Sequence, residues 1–332
     1  MTMQPLQYLD LLRNEYLDSF IAEGGAAVKF VVPLDATTPH DLPAPLRREA
    51  TDAGYAFAFV DSASKRVDRI EHIFFDIARQ LDWDDRARAF ARRALDQLGF
   101  GDARAGTSLD FERIARDHGY EAPELSFQYN RWLQQAINHD FGMAKEFRIA
   151  MMRLCQAAVD PGPAAQTTRA SVIEWLTGEL RRIAALGEAR IYQKITRANA
   201  RHMFSSLTHW LRCTGTRGLV LALDIRRLAV AKRVDAASGA YYTKAAVLDA
   251  YEVLRQLIDG TDELEGCLVV VICDPEVLDN AHARGFESYL ALRYRVSDEV
   301  RDRRRVNPLA ALVRLSAMPS AAEAVSQERR PA

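Results

Sequence analysis

The chain has 332 residues, a formal net charge of −1 and four cysteines, with 48% hydrophobic and 27% charged residues. A net charge this small gives no overall attraction to nucleic acid or to an anionic membrane, so any such contact has to come from a local patch. The cysteines show neither a C-x-x-C pair nor metal-ligand spacing with histidines, and no apolar run is long enough to cross a bilayer. We expect a soluble cytoplasmic protein with reduced thiols, no bound metal and no membrane contact.

The N-terminal part predicts a helix followed by a β-α-β unit. Residues 6–20 place apolar side chains at helical spacing, and two glycines follow at positions 24 and 25. A buried strand is predicted over 28–32, a helix over 42–52 and a second strand over 55–60. Such a unit builds a parallel sheet.

The middle of the chain is predicted to be helical. Residues 160–166, rich in proline and glycine, predict a linker, and helices are expected over 171–185 and 200–213. Two more buried strands are predicted over 218–222 and 267–272, with an amphipathic helix over 244–259 between them.

These elements predict an α/β fold with a mainly parallel sheet, helices on both faces and a long helical insertion. The expected divisions are a first half of the core over 1–65, the insertion over 66–215, a second half of the core over 216–315 and a disordered tail over 316–332. Ligands of such sheets bind at the carboxyl ends of the strands, where the turn over 33–40, Asp61, Asp224 and Asp274 are predicted to lie.

The turn after the first strand stands where a P-loop fold carries its phosphate loop. In G-x-x-x-x-G-K-[ST], glycines let backbone N–H groups surround a phosphate, the lysine neutralises charge and the hydroxyl holds Mg²⁺. Residues 30–40 read F-V-V-P-L-D-A-T-T-P-H, without the glycines or the lysine, and the prolines remove backbone donors. The residues of this degenerate position are Pro33, Asp35, Thr37, Thr38, Pro39 and His40.

Two aspartates end the later strands. Asp224 stands where a Walker B acid would hold Mg²⁺, but Ile225 follows where an AAA-type ATPase has the glutamate that polarises water; a simple strand-end cap is the alternative. Asp274 stands at a sensor-like position, although Asp-Pro is also a common turn initiator. The histidines, His202 and His209 included, are expected to be core or surface residues, and no motif indicates covalent catalysis.

A basic segment near the C-terminus is a candidate contact for a partner or for nucleic acid. It is interpreted as a solvated or interface-facing helix, as a phosphate-backbone contact or as an arginine inserted into a partner's nucleotide site. The candidate residues are Arg293, Arg295, Arg303, Arg304 and Arg305.

The order of several segments resembles the BrxD-like ATP-binding proteins of BREX-type bacterial phage-defence systems, P-loop proteins distantly related to AAA ATPases. The segments are K-F-V-V, F-A-F-V-D-S, W-L-T-G-E-L, L-T-H-W-L-R-C-T-G-T-R-G-L-V-L-A-L-D, A-Y-E-V-L-R-Q-L-I-D and R-G-F-E-S-Y-L-A-L-R-Y-R. The resemblance implies a P-loop NTPase-like α/β core with a helical insertion. Members of that family look to have an intact glycine-rich loop and Asp-Glu at the Walker B strand, both of which this chain lacks.

The resemblance and these departures predict a pseudo-ATPase subunit of an anti-phage defence system. It would act as an assembly or regulatory partner of a catalytic ATPase, helicase or nuclease, in a homo- or hetero-oligomer that could include an intact P-loop paralogue. No cofactor is expected. One alternative is an active ATPase with an atypical loop, which would bind ATP and Mg²⁺; the other is a DNA-binding adaptor, although DNA contact is expected to be indirect.

Overall fold

A computed structural model describes residues 3–34, 42–100, 109–231, 239–279, 282–297 and 309–316. The chain divides into unit 1, Met1–Arg69 with Arg217–Ala332, and unit 2, Ile70–Thr216. The strands of the described residues are β1 (Ala26–Pro33), β2 (Ala56–Asp61), β3 (Leu219–Asp224), β4 (Cys267–Ile272) and β5 (Leu312–Leu315). The α-helices are α1 (Pro5–Leu11), α2 (Pro43–Asp52), α3 (Ile70–Arg79), α4 (Trp83–Gln97), α5 (Phe111–Asp117), α6 (Ala122–Asn138), α7 (Lys145–Ala157), α8 (Pro163–Leu176), α9 (Ala200–Cys213), α10 (Lys244–Asp259) and α11 (Leu290–Val296).

Unit 1 is built on one parallel sheet in the order β2-β3-β4-β1-β5. The predicted α/β class with a parallel sheet is confirmed, and the four predicted strands are β1 to β4. The sequence analysis did not predict β5, which has four residues, pairs with β1 at the edge of the sheet and forms one isolated bridge to Met3. So short an edge strand carries too few alternating side chains to be distinguished from a loop.

Helices cover both faces of this sheet. On one face, Val31, Val220 and Leu268 belong to a single buried cluster with side chains of α1 and α2. On the other, the ring of Phe30 packs edge-on against Phe286 with centroids 5.9 Å apart, and Phe286 packs in turn against Tyr251 of α10. Strands buried on both faces are expected to be apolar, as β4 is throughout and β3 is up to its last residue, Asp224.

The N-terminal helix differs from the predicted apolar stripe. After α1 the chain continues as a π-helix over Leu12–Phe20, and the amide of Ile21 donates to the carbonyl of Tyr16, five residues back, at 2.8 Å. The wider turn rotates the buried face, because it holds more residues than an α-turn. Leu17 is therefore fully buried, while Phe20 is 48% exposed. Leu6 of α1, which with Phe20 was among the apolar residues predicted to share one helical face, is 54% exposed.

Unit 2 is helical. The predicted helix over 200–213 is confirmed as α9, but the predicted linker over 160–166 is wrong in its second half, because α8 begins at Pro163. Proline suits the first turn of a helix, whose amides have no intrahelical partner. The helix expected over 171–185 ends instead at Leu176, two residues before Gly178, which has a φ of +75°.

No helix of the described residues is long and apolar enough to cross a membrane. Residues 317–332 of the predicted disordered tail lie outside the described part of the chain.

A close backbone approach fixes the start of β3. Gly218 has a φ of +145°, and a Cβ built on it would lie 1.9 Å from the carbonyl oxygen of Gly266. That oxygen accepts the hydrogen bond from the amide of Leu219 at 2.8 Å, so it cannot move without breaking the first contact between β3 and the segment before β4.

We predict that Gly218→Ala lowers the free energy of unfolding by about 3 kcal/mol or more, because it combines a backbone clash with a left-handed φ. Gly54→Ala is the matched control, since Gly54 also has a positive φ (+82°) but a Cβ there would meet only the side chain of Arg217 at 3.9 Å. That variant should lose about 1–2 kcal/mol. Urea unfolding compares the two, and equal losses would contradict the role given to the Gly266 carbonyl.

Lys29 of β1 is a buried cation. Its ammonium donates to the carbonyl of Leu309 at 2.7 Å and to that of Ala310 at 3.2 Å, and it lies 4.5 Å from the ring centroid of Tyr16. Burial lowers the pKa of Lys29 from 10.5 to about 8. The charged form is thus less favourable in the folded than in the unfolded chain.

We predict that the stability of the protein rises, relative to that of Lys29→Met, as the pH increases from about 8 to 10.5. In this interval the folded protein has released the Lys29 proton and the unfolded chain still holds it, so unfolding binds a proton and becomes harder as pH rises. Urea unfolding of both proteins at matched pH values gives the difference. Parallel stability profiles would show that burial does not perturb this lysine.

Candidate functional site

The carboxyl edge of the sheet brings together the strand ends predicted to carry a site. In the register of the sheet, Asp61 of β2 pairs with Asp224 of β3, and Asp224 pairs with Ile272 of β4. The amide of Cys273 donates to the carbonyl of Val31 at 2.8 Å, which ties the end of β4 to β1. The ends of these four strands therefore lie side by side.

The centre of this edge is an ion pair between Asp224 and Arg226. Asp224 is 3% exposed, and its carboxylate accepts from Nη2 of Arg226 at 2.7 Å and from Nε at 3.0 and 3.1 Å. The backbone amide of Arg226 also donates to Oδ1 of Asp224 at 3.0 Å. The negative charge of Asp224 is thus balanced, and both of its carboxylate oxygens are hydrogen-bonded, by a residue two positions along the chain.

This arrangement decides what Asp224 can bind. A carboxylate has about four lone-pair sites, and three donor nitrogens of Arg226, its backbone N, Nε and Nη2, contact the two oxygens. A magnesium ion would have to displace the guanidinium, which is always charged in proteins. Ile225, 1% exposed, supplies no group to polarise water.

A polar network continues from this pair toward β2. Ser62 is fully buried; its amide donates to the carbonyl of Asp224 at 2.9 Å, and its hydroxyl accepts from the amide of Arg227 at 3.3 Å. The hydroxyl of Tyr242 lies 2.6 Å from the carbonyl of Lys65 and 3.2 Å from that of Ser62. Burial raises the pKa of Tyr242 to about 12, so its hydroxyl remains a donor at neutral pH.

Arg284 holds the segment that follows β3. This arginine is 6% exposed, and its guanidinium donates to the carbonyl of Val230 at 2.6 Å and to the hydroxyl of Tyr241 at 3.2 Å. Its own carbonyl accepts from the hydroxyl of Tyr251 at 2.5 Å. A buried arginine needs several acceptors at once, which backbone carbonyls supply here.

Asp274 and Cys273, at the end of β4, have structural contacts. Oδ1 of Asp274 accepts from the amide of Glu276 at 2.9 Å and so caps the 3₁₀-helix over Pro275–Leu278. Cys273 is buried, and burial, with the nearby carboxylates of Asp224 and Asp274, raises the pKa of its thiol well above the ordinary value. Such a thiol is a poor nucleophile.

The remaining predicted site residues divide into described and undescribed ones. Pro33 ends β1, and Asp35, Thr37, Thr38, Pro39 and His40 lie outside the described residues. Nε of Arg293 lies 2.9 Å from a carboxylate oxygen of Glu287, and the guanidinium of Arg295 forms an ion pair with Asp259 of α10. Arg303, Arg304 and Arg305 also lie outside the described residues.

Sequence reasoning found Asp224 but missed its partner. The pattern Asp-x-Arg at the end of an apolar strand was the available signal, because two residues is the reach of an Asx-type turn, in which a carboxylate accepts from a backbone amide. The roles of Ser62, Tyr242 and Arg284 depend on contacts across long stretches of sequence and had no local signal.

The fold and the site define the class: an α/β protein with a parallel sheet, compatible with a P-loop-like fold, that gathers acidic residues at its carboxyl edge. The chain belongs to the family described as BREX system ATP-binding protein BrxC/D, whose family model matches residues 19–327. The resemblance found in the sequence is thereby confirmed, and membership implies a role in a multi-gene phage-defence system. Comparisons with curated proteins and with solved structures gave no match.

We predict that Arg226→Ala lowers the free energy of unfolding by about 2–3 kcal/mol, because it leaves a buried carboxylate without its cation. The loss should be smaller than for a wholly buried pair, since the side chain of Arg226 is 24% exposed. Urea unfolding measures it.

The double variant Asp224→Asn with Arg226→Ala serves as the control. Without the carboxylate there is no unpaired charge to bury, so the double variant should be more stable than Arg226→Ala alone. If Arg226→Ala is as stable as the unmodified protein, Asp224 is not held as we describe.

Proposed function

We propose that this chain is a non-catalytic member of the BrxC/D family, a pseudo-ATPase that acts as an assembly or regulatory partner of a catalytic ATPase, helicase or nuclease in a BREX system. The observation that supports this proposal most directly is that the carboxylate of Asp224 accepts hydrogen bonds from Arg226, two residues along the chain. A Walker B acid works by leaving its oxygens open to Mg²⁺ or to Mg²⁺-bound water. Here the positive charge at that position is part of the polypeptide.

The strand order supports the proposal that the scaffold is of the P-loop type. Counted from β5, the sheet reads 5-1-4-3-2, so β4 lies between the strand that precedes the phosphate-loop position and the strand that ends in Asp224. AAA-type ATPases arrange their core sheet in this order. This order supports the assignment of residues 33–40 to the phosphate-loop position and of Asp224 to the Walker B position; the former lack the glycines and the lysine, and Ile225 stands where the second acid would be.

Hydrogen bonds and ion pairs within unit 1 support a regulatory or assembly role. The buried network around Ser62, Tyr242 and Arg284 holds the segments that follow β2 and β3 by hydrogen bonds. The described arginines of the basic segment, Arg293 and Arg295, hold acidic side chains of unit 1. That pairing favours a protein-partner role over a direct DNA contact for these two residues.

The alternative is a protein that binds ATP through an atypical loop, and the family's description as ATP-binding favours it. This alternative requires Arg226 to leave Asp224 when Mg²⁺ enters, and a catalytic base from elsewhere. The two functions therefore make different predictions: removal of the Asp224 carboxylate changes the binding or hydrolysis of ATP only if the protein is an ATP-binding one.

We predict that the purified full chain binds Mg·ATP no more tightly than a dissociation constant of about 1 mM and releases no phosphate above the buffer rate. The segment over 33–40 has two prolines without an N–H and no lysine, and the carboxylate of Asp224 is held by Arg226, so the main favourable contributions to triphosphate binding are weakened. Isothermal titration calorimetry and a phosphate-release assay measure the two quantities.

Asp224→Asn and Asp274→Asn form a matched pair of variants for this test. Under the pseudo-ATPase proposal neither changes the result. Micromolar, magnesium-dependent binding that is lost in Asp224→Asn and kept in Asp274→Asn would overturn the proposal and establish the ATP-binding alternative.

A further inference from the structure

Unit 2 contains a cluster of three metal-ligating side chains, Asp140, His209 and Cys213. His209 and Cys213 lie four residues apart on α9 and so share one face of the helix, and Asp140 lies in the connection between α6 and α7. One ligand atom from each of the three residues lies within 4.8 Å of the other two. We propose that these side chains form a zinc site with three protein ligands.

The loop around Asp140 is shaped to present one carboxylate oxygen to the helix. Oδ1 of Asp140 accepts from the amide of Gly142 at 3.1 Å, and Oδ2 faces Nε2 of His209 at 2.8 Å. Cys213 Sγ is 4.0 Å from the same Oδ2. A Cβ on Gly142 would lie 3.0 Å from Cε1 of His209, so glycine lets the backbone pack against the imidazole edge.

The donor set selects the class of metal. One imidazole nitrogen, one thiolate sulfur and one carboxylate oxygen suit Zn²⁺, whereas Mg²⁺ and Ca²⁺ require oxygen donors. Tetrahedral zinc with ordinary bond lengths would separate the nitrogen and oxygen ligands by about 3.4 Å and the sulfur and oxygen by about 3.6 Å. The present contacts of 2.8 and 4.0 Å differ from these values by about half an ångström.

Zinc binding would replace the protons of the imidazole and the thiol, because metal ligands bind in their deprotonated forms. Among the described residues, Arg93 of α4 contacts the cluster through a hydrogen bond from Nη1 to the carbonyl of Cys213 at 3.3 Å. That bond uses the backbone and leaves Sγ to the metal.

An ion could reach the cluster from solvent. The side chains of His209 and Asp140 are 20% and 22% exposed. Cys213 is half-buried, in contrast to Cys155, Cys267 and Cys273, which are buried. Three protein ligands leave the fourth position of a tetrahedron for water, which is the coordination of an open zinc site.

The test is titration of the full-length, reduced chain with Zn²⁺ against a chromophoric chelator at pH 7 and pH 8, with Co²⁺ absorption as a second readout. We expect one Zn²⁺ per chain, an apparent affinity that rises about tenfold or more between the two pH values because zinc binding releases protons from its ligands, and a thiolate-to-Co²⁺ charge-transfer band. Cys213→Ser should weaken Zn²⁺ binding at least about tenfold and abolish the band.

His202→Gln is the matched control, because His202 is exposed on the same helix and lies outside the cluster; its affinity should equal that of the unmodified chain. Thermal unfolding without metal verifies that each variant folds. Absence of one-to-one Zn²⁺ binding at pH 8, or binding that Cys213→Ser leaves unchanged, would overturn the proposal and leave the cluster as a His–Asp ion pair beside a thiol.

Discussion

A parallel sheet buried on both faces is the constraint from which the structure of unit 1 follows. Its strands are joined by crossovers, which place helices on both faces and all the carboxyl ends at one edge. β3, in the interior of that sheet, has no exposed residue. A carboxylate at its end is therefore removed from water and requires a partner, since an unpaired buried charge is among the most destabilising features a protein can have.

Arg226 is this partner, and it belongs to the same chain. In an ATPase the acid at this position has its charge balanced by a metal that arrives with the substrate, so the empty protein tolerates some instability in return for activity. Here the balancing charge is covalently attached, two residues along the chain. The buried carboxylate at this edge of the sheet therefore needs no ligand to balance its charge.

The sequence was most informative where local pattern and burial coincide. The strand over Cys267–Ile272 and the helix over Lys244–Asp259 have the predicted bounds, because each is a continuous apolar run or a regular amphipathic period that ends at a turn signal. It failed where tertiary packing overrides the period, as in the π-helix of Leu12–Phe20, and where an element is too short, as in β5. Of the candidate site, single residues such as Asp224 were accessible from sequence, whereas pairs were not. His209 was expected to be a core or surface residue, and its contact with Asp140, 69 residues away, had no signal in the sequence.

Asp224 and Asp140 illustrate how the cationic partner sets the chemistry of a carboxylate. Asp224 is paired with a guanidinium that does not release its proton at any physiological pH, so a metal ion would have to compete with a fixed positive charge for its oxygens. Asp140 faces an imidazole with a thiol beside it, and both groups bind metal ions in their deprotonated forms. The same functional group is therefore a structural hydrogen-bond acceptor at Asp224 in unit 1 and a proposed metal ligand at Asp140 in unit 2. If the chain binds an inorganic cofactor, the chemistry of these partners directs it to the helical unit and away from the position that the fold would assign to magnesium.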